Sequence, residues 1–204
     1  MQRCIDFSIK SAKSQQAVEF GQYDTIPRRI AEIARDNLIG KMAEAAVSQM
    51  LREDFGVHYA VNYEIYPKGE WDDFDMQING WNVDIKSTRS GQWLLFDVDK
   101  LRMRQNQEHN NLPDMIFMCR TPWDRIADKP VGTVDLIGAV SLGFLLSDSQ
   151  DVKRLKKGDY IPNTNTKLQA ENYGVHFSNI NPNWTAIITF MLKTFPPKNF
   201  GYNV

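Results

Sequence analysis

The dipeptide Asn79-Gly80 constrains this chain more than any other pair of its residues. A type I′ hairpin turn needs positive φ at both central positions, and asparagine followed by glycine tolerates that best. With a two-residue turn fixed there, Ile78 faces Trp81, Gln77 faces Asn82 and Met76 faces Val83. Continued outward, Asp75 faces Asp84, Phe74 faces Ile85 and Asp73 faces Lys86. Side chains alternate between faces along a strand. One face therefore carries Phe74, Met76, Ile78, Trp81, Val83 and Ile85, all apolar, and the other Asp73, Asp75, Gln77, Asn82, Asp84 and Lys86, all polar. A slip of one residue would scramble both sets, so the sequence itself specifies the register.

The polar face breaks a rule of sheet chemistry. Like charges set directly opposite each other are destabilising, and Asp75 opposes Asp84. One reading is a solvated sheet face on which Lys86 relieves the repulsion. The other is a divalent cation held between the two carboxylates, for which hard oxygen ligands suit Mg²⁺ or Mn²⁺.

The rest of the chain bounds the surroundings of this hairpin. With 204 residues, 42% hydrophobic and 24% charged, it suits one globular domain, residues 1–204, with a sizeable core. No apolar run approaches the roughly 20 residues that cross a bilayer, and the opening MQRCIDFSIKSAKSQQ lacks the apolar stretch of a secretory signal. Cys4 and Cys119 show no metal-ligand spacing and read as reduced thiols of a cytoplasmic protein. A net charge of -1 argues against coating nucleic acid by bulk charge but leaves room for local basic patches. Candidates are Arg28-Arg29, Arg102 with Arg104, and Lys153, Arg154, Lys156 and Lys157.

Along the chain, residues 4–9 read as a strand. Thr25 followed by Pro27 starts a helix that runs to about residue 54, with an interruption near residues 37–40 and a stop at Gly56. Residues 59–66 alternate as a strand, and the hairpin follows. Asp97 or Asp99 caps a helix to about residue 109, residues 114–120 and 133–141 read as strands, and a loop-rich tail ends in the apolar segment 184–195. Helix, three strands, helix and strand make an α+β layout around one sheet. Within the first helix, the segment IGKMAEAAVSQML lines up Ile39, Ala43, Ala46 and Met50 on one stripe, with Glu44 at its margin.

A helix carrying G-x-x-x-E (Gly40 to Glu44), a strand, a hairpin reading D-x8-D-x-K (Asp75, Asp84, Lys86), then a helix and a strand resembles the PD-(D/E)xK nuclease superfamily over residues 36–120. The resemblance implies a restriction-endonuclease-like αβββαβ core, a central mixed sheet flanked by helices, with residues 121–204 extending the sheet and adding loops. It implies that Asp75 and Asp84 bind the metal, that the backbone carbonyl of Ile85 is a further ligand, and that Lys86 positions or activates the attacking water. Glu44 matches the first-helix acid that helps hold the metal or a second one. The family's proline before the first aspartate is replaced here by Phe74, so Asp73 competes with Asp75, and the hairpin pairing favours Asp75. Some members carry a glutamine on the following helix, where Gln105 and Gln107 stand.

The expected function is Mg²⁺-dependent hydrolysis of DNA phosphodiester bonds, endonuclease in type, with Mn²⁺ as a substitute metal. Cutting both strands would favour a homodimer. The alternatives are a DNA-binding or assembly protein on the same fold that does not cut, and a nuclease acting on RNA. His58, His109 and His176 are isolated, and no phosphate-binding glycine loop or nucleophile elbow is present.

Overall fold

The computed structural model describes residues 1–16, 29–66, 74–106 and 112–196. Thr25, Pro27, Arg28, Asp73, Gln107 and His109 lie outside the described residues. The protein is a mixed α+β molecule with a central mixed sheet. It divides into two compact units, each assembled from separate stretches of chain: residues 1–75, 85–90 and 119–136 form the first, and 76–84, 91–118 and 137–204 the second.

In the first unit, α1 (Gln2–Gln16) packs on α2 (Ile30–Phe55). The strand expected over residues 4–9 is thus helix. Its buried residues are Cys4, Ser8, Ser11 and Ala12, which recur every three or four positions as a helix stripe must. That period is carried by small residues, whereas the apolar Ile5, Phe7 and Ile9 alternate and point to a strand. Cys4, Leu38 and Met42 form the core of the helix pair, with Tyr63, Trp123 and Val134 against it.

Helix α2 runs unbroken through residues 37–40, because Gly40 faces open space and the Asn37 amide donates outward to Ser11 Oγ at 3.1 Å. The helix starts with the Glu32 carboxylate accepting the Arg29 backbone N–H, at 3.1 Å. It stops at Gly56, whose φ of 68° is the left-handed C-terminal turn that glycine takes without strain. Residues 59–66, expected as a strand, form no regular element. The carbonyls that would have joined a ladder accept from α2 side chains instead, Tyr59 O from Ser48 Oγ at 2.6 Å and Asn62 O from Lys41 Nζ at 2.8 Å.

The hairpin forms in the expected register over the three pairs next to the turn, while the expected pairs Asp75 with Asp84 and Phe74 with Ile85 are not part of the ladder. β1 (Met76–Ile78) and β2 (Trp81–Thr88) pair antiparallel in the register Met76↔Val83, Gln77↔Asn82, Ile78↔Trp81. Asn79 and Gly80 carry φ of 48° and 84°. After β3 (Trp93–Asp97), Asp97 caps α3 (Val98–Gln105) by accepting the N–H groups of Asp99 and Lys100.

Next come β4 (Met115–Arg120), a small hairpin of β5 (Trp123–Asp124) and β6 (Lys129–Pro130), and β7 (Asp135–Ser141). The central sheet has the order β1-β2-β4-β7. Asp114 donates to Asn82 O and Thr121 to Thr88 O, so β4 runs parallel to β2. Leu142 donates to Asp114 O while Arg120 pairs with Asp135, so β7 runs antiparallel to β4.

The tail does more than extend this sheet. A single turn, α4 (Leu142–Leu145), leads to β8 (Val152–Leu155) and β9 (Asn172–His176), which join β3 in a second antiparallel sheet, order β3-β9-β8. Leu94, Phe96, Leu101, Ile116, Val140 and Val175 share one core there, in the second unit. The apolar segment at 184–195 forms α5 (Trp184–Lys193). Its last carbonyls are met by the hairpin turn, since Asn79 Nδ2 donates to Met191, Leu192 and Thr194 at 2.9–3.2 Å. Among the described residues no helix is long and apolar enough to cross a membrane.

Candidate active site on the hairpin strands

The hairpin ladder ends at Met76, and Asp75 stands one residue before it. In a continued ladder the next narrow pair would be Phe74 with Ile85, and Ile85 N–H would reach the Phe74 carbonyl. The Asp75 carboxylate takes that N–H instead, Oδ2 to Ile85 N at 2.6 Å. A side chain has replaced a rung, and the carboxylate is thereby fixed against the strand that carries Asp84, Ile85 and Lys86. Tyr59 holds Asp75 from the other side, its hydroxyl donating to Asp75 O at 2.9 Å. Because Ser48 on α2 donates to Tyr59 O, a continuous run of hydrogen bonds leads within the first unit from α2 through Tyr59 and Asp75 to β2.

Asp84 sits in the second unit, at the end of that unit's share of β2. It is only 1% exposed, so this part of the polar face is not solvated. Burying a carboxylate without a partner is costly. Arg104, in the last turn of α3, supplies one: Nη1 lies 3.2 Å from Asp84 Oδ1, and the Arg104 side chain is 26% exposed. Lys86 is partly exposed and lies two residues beyond Asp84 on the same face of the strand, about 7 Å away along the backbone.

Glu44 is likewise no margin residue. It is 7% exposed and Lys41, three residues earlier, is 8% exposed. Lys41 Nζ meets Glu44 Oε2 at 2.7 Å and sits 4.7 Å from the centre of the Phe7 ring. Tyr63 packs edge-on to Phe7 and contacts the Cys4 thiol at 3.5 Å. Burial, followed by the Cys4 contact, pushes the Tyr63 phenol up to about 12, so it stays neutral beside the Lys41–Glu44 pair.

Of the residues singled out from sequence, the structure joins Asp75 to Ile85 directly, and Asp84, Ile85 and Lys86 are consecutive on β2. Glu44 is tied to Lys41. No group of three or more His, Cys, Asp or Glu side chains forms a ready-made metal cluster among the described residues. Trp81, at 6% exposure, is core. Gln105 ends α3.

Three residues of the site escaped the sequence: Lys41, Tyr59 and Arg104. Lys41 lies inside the G-x-x-x-E segment at the helical spacing for a pair with Glu44, a signal that was there to use. Arg104 showed only as half of a basic pair with Arg102. Compared with family models, curated proteins and solved structures, the chain matches none of them.

Proposed function

We propose that this protein hydrolyses DNA phosphodiester bonds with a divalent metal, on a core of the PD-(D/E)xK type. The observation that carries the reading is the Asp75 carboxylate at 2.6 Å from the Ile85 amide. That contact holds the Asp75 carboxylate against the strand that carries Asp84, Ile85 and Lys86. Asp75, Asp84 and the Ile85 carbonyl would hold Mg²⁺, with Glu44 as the further acid. Their oxygens are the hard donors that this ion prefers, and Mg²⁺ takes one or two carboxylates and keeps several waters, so no larger acidic cluster is required. When bound, the ion supplies Lewis acidity toward a phosphoryl oxygen and acidifies its water.

The chain's own groups do the rest. Lys86 holds the attacking water and a non-bridging phosphate oxygen from the face it shares with Asp84. Lys41 holds the Glu44 carboxylate in place, and Tyr59 keeps the Asp75 backbone in place. Phosphoryl transfer of this kind is mostly positioning and charge neutralisation, which rigid, buried acids provide.

A second reading is a DNA-binding protein on the same core that does not cut. It draws on the pairs Lys41–Glu44 and Arg104–Asp84, which compensate two of the acids from within the protein. Purified protein on supercoiled, linear and single-stranded DNA, with Mg²⁺, Mn²⁺ or EDTA, decides between the two. Cleavage that needs metal, and that falls roughly 10²-fold or more in Lys86→Ala and in Asp84→Ala, supports the nuclease. Binding without cleavage in wild type and variants alike supports the second reading. Single- versus double-strand breaks, read beside the size of the active species, test whether a homodimer cuts.

A further inference from the structure

Two loops that are far apart in sequence meet beyond the end of β2. One is the turn after the strand, Arg89 and Ser90. The other is the tip of the β5–β6 hairpin, residues 125–128, joined to it by Arg125 Nη2 donating to Ser90 Oγ at 3.4 Å. At the apex stands Ile126, 100% exposed. Exposed single apolar residues are common on protein surfaces, but the backbone of this one is held by hydrogen bonds and its loop carries exposed Arg125 and Lys129. The Asp124 carboxylate accepts the N–H groups of Ile126 and Ala127 at 2.8 and 3.0 Å. Asp128 accepts from Arg35 at 2.8 Å and from the Trp123 indole at 3.1 Å.

Both acids of the tip are therefore spent on holding it, while Arg89, Arg125 and Lys129 are exposed on the same two loops, Lys129 beside Asp124 and Arg89 beside Asp128. Arg89 follows Lys86 by three residues, no more than about 10 Å along an extended chain. That is a few nucleotides of DNA from the phosphate that Lys86 would hold.

We infer that this tip is a groove-reading element for duplex DNA: Ile126 wedges between stacked base pairs, and Arg89, Arg125 and Lys129 take the flanking phosphates. The inference rests on DNA as the substrate and adds how the duplex is gripped. Apolar wedges at minor-groove base steps work this way, unstacking one step while cations hold the backbone. A preformed tip gives up little conformational freedom on insertion.

Anisotropy with a short labelled duplex and its single strand, in EDTA so that nothing is cut, tests the inference, alongside a duplex carrying a fluorescent purine analogue at a pyrimidine–purine step. Ile126→Ala should bind duplex about tenfold more weakly and lose the rise in analogue fluorescence that unstacking gives. Its affinity for the single strand, which has no stack to open, should not change. Arg125→Ala and Lys129→Ala should each lower the slope of log affinity against log salt by about one.

Unchanged duplex affinity and unstacking in Ile126→Ala overturn the wedge, and if that wild type cuts DNA in Mg²⁺ the nuclease reading stands without it. A wild type that neither binds nor cuts DNA overturns both. Binding to anionic phosphatidylserine vesicles in place of duplex, lost in Ile126→Ala, would reassign the tip to a membrane surface.

Discussion

Two tight hairpins among the described residues put their tips to opposite uses. The Asn79-Gly80 turn faces its own fold. Asn79 donates to three carbonyls at the end of α5, Trp81 Nε1 donates to Thr194 O at 3.0 Å, and the Trp81 and Phe190 rings lie 5.5 Å apart. A Cβ on Gly80 would meet the Pro196 ring at 3.6 Å, ordinary contact, so there the positive φ and not crowding selects glycine. The 125–128 turn faces away. Its acids are turned inward to brace it, and its apolar residue is left in solvent. A tip that closes a helix end is part of the stability of the fold, whereas a tip held from behind, by Arg35 and by its own flanks, leaves its apex free to meet something else.

The strongest test of this contrast lies on the strand behind the first turn. Arg104→Ala leaves the buried Asp84 carboxylate without its guanidinium and should cost about 3 kcal/mol, read as a lower urea midpoint at unchanged m. A loss near zero would mean that Asp84 is solvated after all, and that β2 resembles the exposed hairpin more than the buried one. Mg²⁺ should act in the opposite direction. At a hundred times its Kd, it should add about 2.7 kcal/mol and raise the Tm, an increment that Asp84→Asn abolishes. A wild-type melt that ignores millimolar Mg²⁺ and Mn²⁺ alike would remove the metal from the hairpin.

Asn79→Ala loses the amide that closes α5 and places a Cβ-bearing residue without a compensating side chain at positive φ. About 2 kcal/mol is expected, and a guanidinium melt followed by tryptophan fluorescence would register it, since Trp81 shares the Thr194 carbonyl. The smallest effect belongs to the other tip: Ile126→Ala should change stability by less than about 0.5 kcal/mol, measured by the same melt. A loss above that would show that the tip packs on something in the free protein, and the contrast between the hairpins would fail.

Where the sequence could be read, it was because a local rule had one answer. The register of β1 and β2 and the stop at Gly56 each follow from a few adjacent residues whose backbone or side chain has no equal alternative, whereas the α3 cap, Asp97 or Asp99 by sequence, is settled as Asp97 only by the structure. Where it misled, the deciding partner was distant. Residues 59–66 alternate well enough for a strand, yet a strand needs a neighbour, and here Ser48 and Lys41 reach their carbonyls first. The order helix, three strands, helix, strand does occur from α2 to β4, but with different members: its third strand is β3, which pairs with β9 in another sheet. Nothing in the WLLFD of β3 names a partner 75 to 83 residues away, as in Asp97↔Asn172 and Trp93↔His176.

The candidate site divides in the same way. Its residue types and their order along the chain were legible because one turn and one alternation place Asp84 and Lys86, whereas Asp75 lies beyond the ladder, where alternation no longer places it. Glu44 was placed on the correct helix but on the wrong part of its surface. That helix is buried on several sides, so an amphipathic stripe understates what it covers.

By itself the sequence determined the hairpin, its turn and its two faces, because positive φ at two adjacent residues and a period of two leave little choice. Only the tertiary structure decided that Asp75 replaces a rung of the ladder, that Arg104 and Lys41 meet Asp84 and Glu44, and that Ile126 stands fully exposed. Those outcomes depend on the charge and burial that distant elements bring to each side chain. A carboxylate's partner is chosen by proximity in space, about which neighbours in sequence carry no information.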